Sequence, residues 1–271
     1  MQQTIFITGA SSGLGKATAK LFQNKGWKVI ATMRNPDNET ELKALPGITV
    51  LPLDITNPYQ ISEIATRTIE LGGVDVVLNN AAIGFVGPFE TVNEVQLTQQ
   101  IETNLIGAIR VMQSFIPHFR ERRSGTFVNI TSVAGLLTFP FASLYHTAKA
   151  GLQAFSDGIS YELAPFGITV KTIAPGFIRT EFGTKMTITT GGPYSGLLDK
   201  HMAVVNSMMD PTTTGSTPEE VAALVYEAVT DGKDQLLYLA GNDAEAMYKR
   251  SLELGTEASR REMTTLFLGN N

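Results

Sequence analysis

Seven short runs rich in β-branched residues recur along the chain, separated by longer amphipathic stretches, and that alternation admits few folds. The runs are Thr4–Thr8, Lys28–Met33, Thr49–Leu53, Asp75–Asn79, Thr126–Thr131, Thr169–Ile173 and Gln235–Leu239. Several are apolar at every position rather than every second one, as expected of parallel strands covered on both faces. Helical periodicity marks Leu14–Lys25, Tyr59–Leu71, Val92–Arg120, Ser143–Pro165 and Pro218–Asp231. Alternating strands and helices joined by right-handed crossovers predict one doubly wound α/β domain over 1–271, a seven-stranded parallel sheet flanked by helices. No internal repeat or Gly/Ser linker divides it. The exception to the pattern is Gly183–Thr217, where Thr, Gly, Pro and Ser mix with Met186, Tyr194, Leu197, Leu198, Met202, Met208 and Met209. A connection this long exceeds the ~12–15 residues of ordinary structureless loops, which makes it a candidate lid.

Composition removes several classes of function. A net charge of −5 gives no electrostatic reason to expect nucleic acid or an anionic membrane as partner. The absence of cysteine excludes disulfides, thiolate catalysis and thiolate metal sites. No secretory segment opens the chain, and no apolar run approaches the ~20 residues that span a bilayer, so the expected location is cytoplasmic.

The first strand leads directly into Thr8-Gly9-Ala10-Ser11-Ser12-Gly13-Leu14-Gly15 and then a helix. Glycines permit a tight turn and close backbone approach, while a helix N-terminus presents free N–H groups and partial positive charge to phosphate. The G-x-x-x-G-x-G spacing therefore reads as a dinucleotide loop of a Rossmann-type domain, built on Gly9, Ser11, Ser12, Gly13, Leu14 and Gly15. Gly9–Gly13 also fits the G-x-S-x-G hydrolase elbow, but no motif marks His118, His146 or His201 as the required base. A P-loop needs four residues before Gly-Lys and then a hydroxyl; here five precede Gly15-Lys16, and Ala17 follows. A turn serving packing alone is the remaining alternative.

Tyr145 and Lys149 lie four apart in Ser143-Leu144-Tyr145-His146-Thr147-Ala148-Lys149. On a helix they share a face, about 5–6 Å apart at Cβ. Upstream, the strand Thr126–Thr131 ends at Ser132, where such sheets deliver side chains to the crevice at their C-terminal edge. With these residues in order, the chain resembles the short-chain dehydrogenase/reductase family over most of its length. The likeness comprises Thr8–Gly15, Asp54 after the third strand, Asn79-Asn80-Ala81-Ala82 after the fourth, and Asn104 in the long helix. Ser132, Tyr145 and Lys149 follow, then Pro175-Gly176 after the sixth strand, with Thr180 beyond. Ala82 departs from the glycine common in the family, and its methyl slightly crowds the cofactor floor.

The resemblance points to the NADP(H)-preferring carbonyl reductase and hydroxysteroid-dehydrogenase-like branch. It implies hydride transfer between a nicotinamide and a carbonyl or secondary alcohol. Tyr145 is then the proton donor in reduction and the acceptor in oxidation. A free tyrosine titrates near ~10. A Lys149 ammonium at ~4 Å, contributing up to about 4 kcal/mol at an effective dielectric near 20, is expected to lower that value. Ser132 orients the substrate oxygen. The family likeness adds that Lys149 holds the nicotinamide ribose and that Asn104 supports a proton-relaying water, although Asn104 also reads as a helix-interior residue bonding backbone. Asp54, with Ile55 beside it, is a candidate acceptor for the adenine amino group or a strand-end turn residue. Asn80, Ala81, Ala82, Pro175, Gly176 and Ile178 are expected to line the cofactor. Thr180 either bonds the carboxamide or caps a helix.

Other residues fall outside the set. His146 points about 100° from Tyr145 on a helix, Trp27 reads as packing, and no metal cluster is evident. Candidate substrate walls are Ile83, Phe85, Leu136, Phe139, Phe141, Phe177 and Phe182 with the Met-rich lid, favouring an apolar or partly aromatic small-molecule carbonyl compound. NADP(H) is expected over NAD(H), because Met33 stands where an acidic residue would accept from the ribose 2′-hydroxyl, and Arg34 follows to bind a 2′-phosphate. A solvated arginine beside Asp37 and Glu39 is the alternative. Apolar residues beyond one stripe on the long helices (Leu105, Ile109, Met112, Phe115, Phe119, Leu152, Phe155 and Ile159), with the family likeness, imply a homodimer or homotetramer. Two rival functions are an NADP(H)-binding regulatory sensor, which needs none of Ser132, Tyr145 and Lys149, and an epimerase or dehydratase, for which the chain after the last strand leaves little room.

Overall fold

The computed structural model describes residues 2–184, 186–189, 192–208 and 215–269. Along the chain the elements are β1 (Thr4–Thr8), α1 (Gly13–Asn24), β2 (Lys28–Met33), β3 (Ile48–Pro52), α2 (Pro58–Glu70), β4 (Val76–Asn79) and β5 (Phe85–Val86). Then come α3 (Glu94–Ile101), α4 (Gly107–Arg122), β6 (Gly125–Ile130), α5 (Ser143–Leu163), β7 (Ile168–Pro175), α6 (Glu181–Thr184) and β8 (Thr187–Ile188). The chain finishes with α7 (Ser195–Met208), α8 (Pro218–Thr230), β9 (Leu237–Ala240), α9 (Asn242–Leu254) and α10 (Thr256–Leu268).

Seven strands form one parallel sheet in the order β3-β2-β1-β4-β6-β7-β9. The order reverses between β1 and β4, which opens the crevice at the C-terminal strand ends where such sheets bind ligands. Both faces are covered, so β1, β2 and β4 bury nearly every side chain, as their continuous apolar runs require, while the edge strand β3 buries only Leu51. On one face Phe22, Val221 and Val225 pack from α1 and α8, and Trp27 sits edge-on to Phe22 at 5.1 Å. On the other, Ile61, Val111, Phe115, Phe119 and Leu163 come from α2, α4 and α5. The Phe115 ring lies 4.9 Å from that of Phe6, and Phe119 lies 4.9 Å from Phe127. Each such aromatic contributes about 1.5–3 kcal/mol by leaving water.

All seven expected strands form, β1 and β2 with the expected bounds and the others with ends shifted by one or two residues. The helix expected over Val92–Arg120 is instead broken. A capping box of Asn93 and Gln96 starts α3 at Glu94, and a π turn over Glu102–Ile106 separates it from α4. Gly107 follows the turn because a Cβ there would stand 2.7 Å from the Ile55 carbonyl oxygen. The helix expected over Ser143–Pro165 stops at Leu163, since Pro165 enters a 3₁₀ turn and Gly167 reverses the chain at φ 72°. Four helices lie outside the expected set: α6, α7, α9 and α10. The candidate lid is not bare coil where described. It contains α6, β8 and α7, and β8 pairs with β5 in a second, two-stranded parallel sheet; Met209 lies outside the described residues.

The apolar excess on the long helices is smaller than expected. Met112, Phe115, Phe119 and Leu152 are buried in this chain's own core, because the sheet face they cover is wider than one stripe. Leu105, Ile109, Phe155 and Ile159 remain half-buried. No helix among the described residues is long and apolar enough to cross a membrane.

Candidate functional site

The glycine loop follows β1 at the crevice, and its glycines are required by contact. A Cβ on Gly9 would lie 2.7 Å from Ala81 Cα, and one on Gly15 would lie 2.4 Å from the Gly9 carbonyl oxygen. Gly9 and Gly13 also adopt positive φ, 70° and 53°. Ala10 N–H donates to Thr32 O at 2.9 Å, fixing the loop to β2. Ser11 and Ser12 are exposed, and Ser12 precedes α1 without capping it by a side-chain hydrogen bond. With no acidic residue in the first turn, the N-terminal N–H groups and positive dipole end of α1 face the crevice uncompensated. Leu14 is buried against the core.

Asn80 does more than line this loop with backbone. Its Nδ2 donates to the Thr8 and Gly9 carbonyls, both at 3.0 Å. Thr8 Oγ1 in return accepts from the Asn80 and Ala81 N–H groups at 3.0 and 3.2 Å. Ala82 is half-buried beside them.

At the end of β2, Met33 is buried in the core and Arg34 is exposed. Glu39, expected near Arg34, is instead buried and paired with Lys16 at 3.0 Å. Burial works to raise its carboxyl, but the Leu42 N–H and the Lys16 ammonium hold it below the usual range. Asp54 serves as a turn residue: its Oδ1 accepts from Thr56 N–H at 2.9 Å and from Thr56 Oγ1 at 2.7 Å. Ile55 beside it is buried.

Ser132, Tyr145 and Lys149 come together. Ser132 ends the β6 run in extended backbone, and its Oγ accepts from Ala134 N–H at 3.1 Å. It donates to Pro175 O at 3.4 Å and lies close enough to the Tyr145 phenol to favour its ionised form. Tyr145 lies in the first turn of α5, with the Phe182 ring at 6.3 Å. Lys149 is buried and donates to Ile130 O at 2.8 Å, its Nζ lying 5.9 Å from the Tyr145 ring centroid.

The expected electrostatics are reversed here. Burial pushes the Tyr145 phenol up to about 12, and the neighbouring Ser132 hydroxyl offsets only part of that. The Lys149 ammonium is pushed down to about 8, also by burial. Desolvation outweighs the attraction between them because Lys149 points at a backbone carbonyl rather than at the phenolic oxygen.

Asn104, buried in the π turn, spends its amide on backbone: Oδ1 accepts from Ile83 N–H at 2.8 Å, and Nδ2 donates to Ile83 O at 2.7 Å. Thr180 acts as a helix cap, its Oγ1 accepting from Phe182 N–H at 3.2 Å. Its Cγ2 also lies 3.2 Å from where a Gly13 Cβ would stand, so the loop after β7 bridges to the glycine loop. Pro175 ends β7, and Ile178 bridges to Ser216.

Sequence reasoning missed three supports. Asp243 in α9 accepts from Phe177 N–H at 2.7 Å, and a Cβ on Gly176 would lie 2.2 Å from that carboxylate. Gly135 lets its turn pack on α5, since a Cβ there would lie 2.8 Å from Lys149 O. His146 clamps the segment after Ser132: Phe139 N–H donates to Nε2 at 2.8 Å, so Nδ1 carries the proton and donates to Ala134 O at 2.7 Å. Only helix registers hinted at His146; Asp243 lay on a helix that was not expected.

Of the expected substrate walls, Phe139 belongs to packing, against His146 and Phe267. Phe85 and Phe141 line a small hollow with Leu144, close in sequence to Tyr145. A larger cavity of about 520 Å³ lies elsewhere, between α8, β9 and α9, and includes none of Ser132, Tyr145 and Lys149. No group of three or more His, Asp or Glu residues gathers for a metal among the described residues.

Comparison with known proteins identifies the family. The family model described as short chain dehydrogenase matches residues 3–190. An uncharacterized oxidoreductase of Schizosaccharomyces pombe is 31% identical over 211 residues, 78% of this chain and 89% of that protein. The crystal structure of a short-chain dehydrogenase from Streptomyces avermitilis matches with a TM-score of 0.85 at 31% identity, covering 97% of this chain and 95% of the other. ElxO with NADP bound matches with a TM-score of 0.77 at 26% identity, covering 91% of this chain and all of that one. The chain therefore belongs to the short-chain dehydrogenase family and is an NAD(P)-dependent oxidoreductase.

Proposed function

We propose that this chain is an NADP(H)-dependent carbonyl reductase, with alcohol oxidation as the reverse reaction, acting on apolar small-molecule substrates. The observation that carries the reading is that the Ser132 hydroxyl, the Tyr145 phenol and buried Lys149 gather at the crevice edge. The loop fits a dinucleotide: side chains at Gly9 or Gly15 would collide, and the first turn of α1 carries no acidic residue. Gly9, Ser11, Ser12, Gly13, Leu14 and Gly15 would hold the diphosphate. Arg34 would take the 2′-phosphate, with Asp54 and Ile55 at the adenine. Asn80, Ala81, Ala82, Pro175, Gly176, Ile178, Thr180 and Lys149 would surround the nicotinamide riboside. Bound there, the nicotinamide supplies or accepts the hydride.

The chain's own residues handle the proton. A phenol pushed up to about 12 stays protonated at neutral pH, so Tyr145 begins as a donor, which suits reduction. Ser132 holds the substrate oxygen at the phenolic hydroxyl, and Lys149 replaces the proton Tyr145 gives up. Asn104 keeps Ile83, a pocket residue, in place. Phe182, Phe85 and Phe141 favour apolar carbonyl compounds, and the segment 183–217 acts as the lid over them. NADP(H) is favoured over NAD(H) because Met33 offers no acceptor and Glu39 is buried and paired with Lys16. Half-buried Leu105, Ile109, Phe155 and Ile159, with Tyr161 exposed on α5, support a homodimer or homotetramer built on the long helices.

The test is a spectrophotometric scan of ketones, aldehydes and alcohols of graded polarity with both cofactors. NADPH-driven reduction of apolar ketones is expected to lead. Tight dinucleotide binding without turnover of any compound would overturn the reading in favour of a regulatory sensor.

A further inference from the structure

Behind the catalytic face lies a buried polar ladder that the chemistry above does not use. Asn79 ends β4, Asn129 lies opposite it in β6, and Ser156 is on α5, beyond Lys149. Asn79 Nδ2 donates to Asn129 Oδ1 at 2.8 Å, Asn129 Nδ2 donates to Ser156 Oγ at 2.8 Å, and Ser156 Oγ donates to Leu152 O at 2.6 Å. The remaining amide hydrogens reach α4, at Ala108 O (3.4 Å) and Met112 Sδ (3.3 Å). Asn129 and Ser156 are wholly buried.

Burying amides and a hydroxyl here is costly unless their partners are met, and apolar side chains would fill the same space without that cost. What hydrogen bonds add is direction. The residue after Asn129 is Ile130, whose carbonyl accepts from Lys149. α5 is thus pinned to β6 at two levels seven residues apart, about 10 Å along the helix. Two such points fix both the rotation of α5 about its axis and its height on the sheet. Those two quantities decide whether Tyr145 and Lys149 meet Ser132, which stands at the end of the β6 run.

Resting on the catalytic reading of that trio, we infer that Asn129 and Ser156 are positioning residues, holding the catalytic helix in register on the sheet. The ladder begins at Asn79, next to Asn80, which grips the glycine loop; successive strand residues face opposite ways, so one dipeptide serves both halves of the site.

The test compares wild type, Ser156→Ala, Ser156→Thr, Asn129→Ala and Tyr145→Phe, with NADPH and an apolar ketone that the wild type reduces. Thermal unfolding, NADPH titration calorimetry, kcat, KM and the pH profile of kcat are measured. Ser156→Ala is expected to stay folded and bind NADPH, to lose roughly ten- to a hundredfold in kcat with KM little changed, and to shift the pH profile. Ser156→Thr, which keeps the hydroxyl, restores kcat. If Asn129→Ala does not fold, the serine pair alone decides. A folded Ser156→Ala with wild-type kcat and pH profile, alongside an inactive Tyr145→Phe, overturns this inference and leaves the catalytic assignment standing. An active Tyr145→Phe overturns both.

Discussion

Removing the Asn80 side chain tests how the dinucleotide loop is held. Asn80→Ala deletes two hydrogen bonds, to the Thr8 and Gly9 carbonyls at 3.0 Å each, while its backbone N–H stays on Thr8 Oγ1. At about 0.5–1.5 kcal/mol net per bond, the loss is about 1–3 kcal/mol. A chain of this size loses roughly 2–4 °C in Tm per kcal/mol, so Tm should fall by several degrees. The loop so released carries the close approach of Gly9 to Ala81 and of Gly15 to Gly9. If half or more of the energy is felt in cofactor binding, the Kd for NADPH rises roughly tenfold, since about 1.4 kcal/mol is one decade. Titration calorimetry measures Kd and differential scanning calorimetry measures Tm. Thr8→Val removes the reciprocal acceptor, and the double variant should cost less than the sum of the two, because both secure one loop. An unchanged Kd and Tm in Asn80→Ala would refute the argument.

Two further outcomes are expected. The wild-type ratio of kcat/KM for NADPH over NADH should exceed one, and Met33→Asp with Arg34→Ala should collapse it by roughly ten- to a hundredfold, the worth of a charge-assisted bond to the 2′-phosphate; steady-state kinetics with both cofactors checks this, and an unchanged ratio places the selectivity elsewhere. His201 in α7 is buried among Phe141 and Phe267, and burial, then nearby His146, pushes it down to about 4. The unfolded chain therefore binds the extra proton first, so stability falls as pH drops from about 6.5 toward 4; His201→Phe should flatten that acid limb in urea titrations, and an unaltered limb would count against it.

The sheet was legible because its strands are covered on both faces, and burial on both faces writes itself as continuous apolar runs such as Thr4–Thr8. The trio was legible because the Tyr145–Lys149 spacing is a helical repeat and Ser132 ends a strand. What stayed hidden depends on distances along no single element. The break at Glu102–Ile106 leaves helical periodicity nearly intact, and its only trace is Gly107 against Ile55. α9 buries just Ala244 among the residues classed as core, too little apolar patterning to read as a helix. The pairing of β5 with β8 involves two residues each, held by a partner a hundred residues away. The direction of the Tyr145 and Lys149 shifts was missed for the same reason: spacing gives their proximity, while the Ile130 carbonyl that claims Lys149 is tertiary.

The central claim is that Tyr145 moves the proton. Its most direct test is the single-turnover rate of Tyr145→Phe with NADPH and an apolar ketone, measured beside NADPH affinity and circular dichroism. The account predicts a folded protein with near-wild-type NADPH binding and a rate lower by at least ~10²-fold, the loss expected for a general acid–base. A rate near that of the wild type would contradict it.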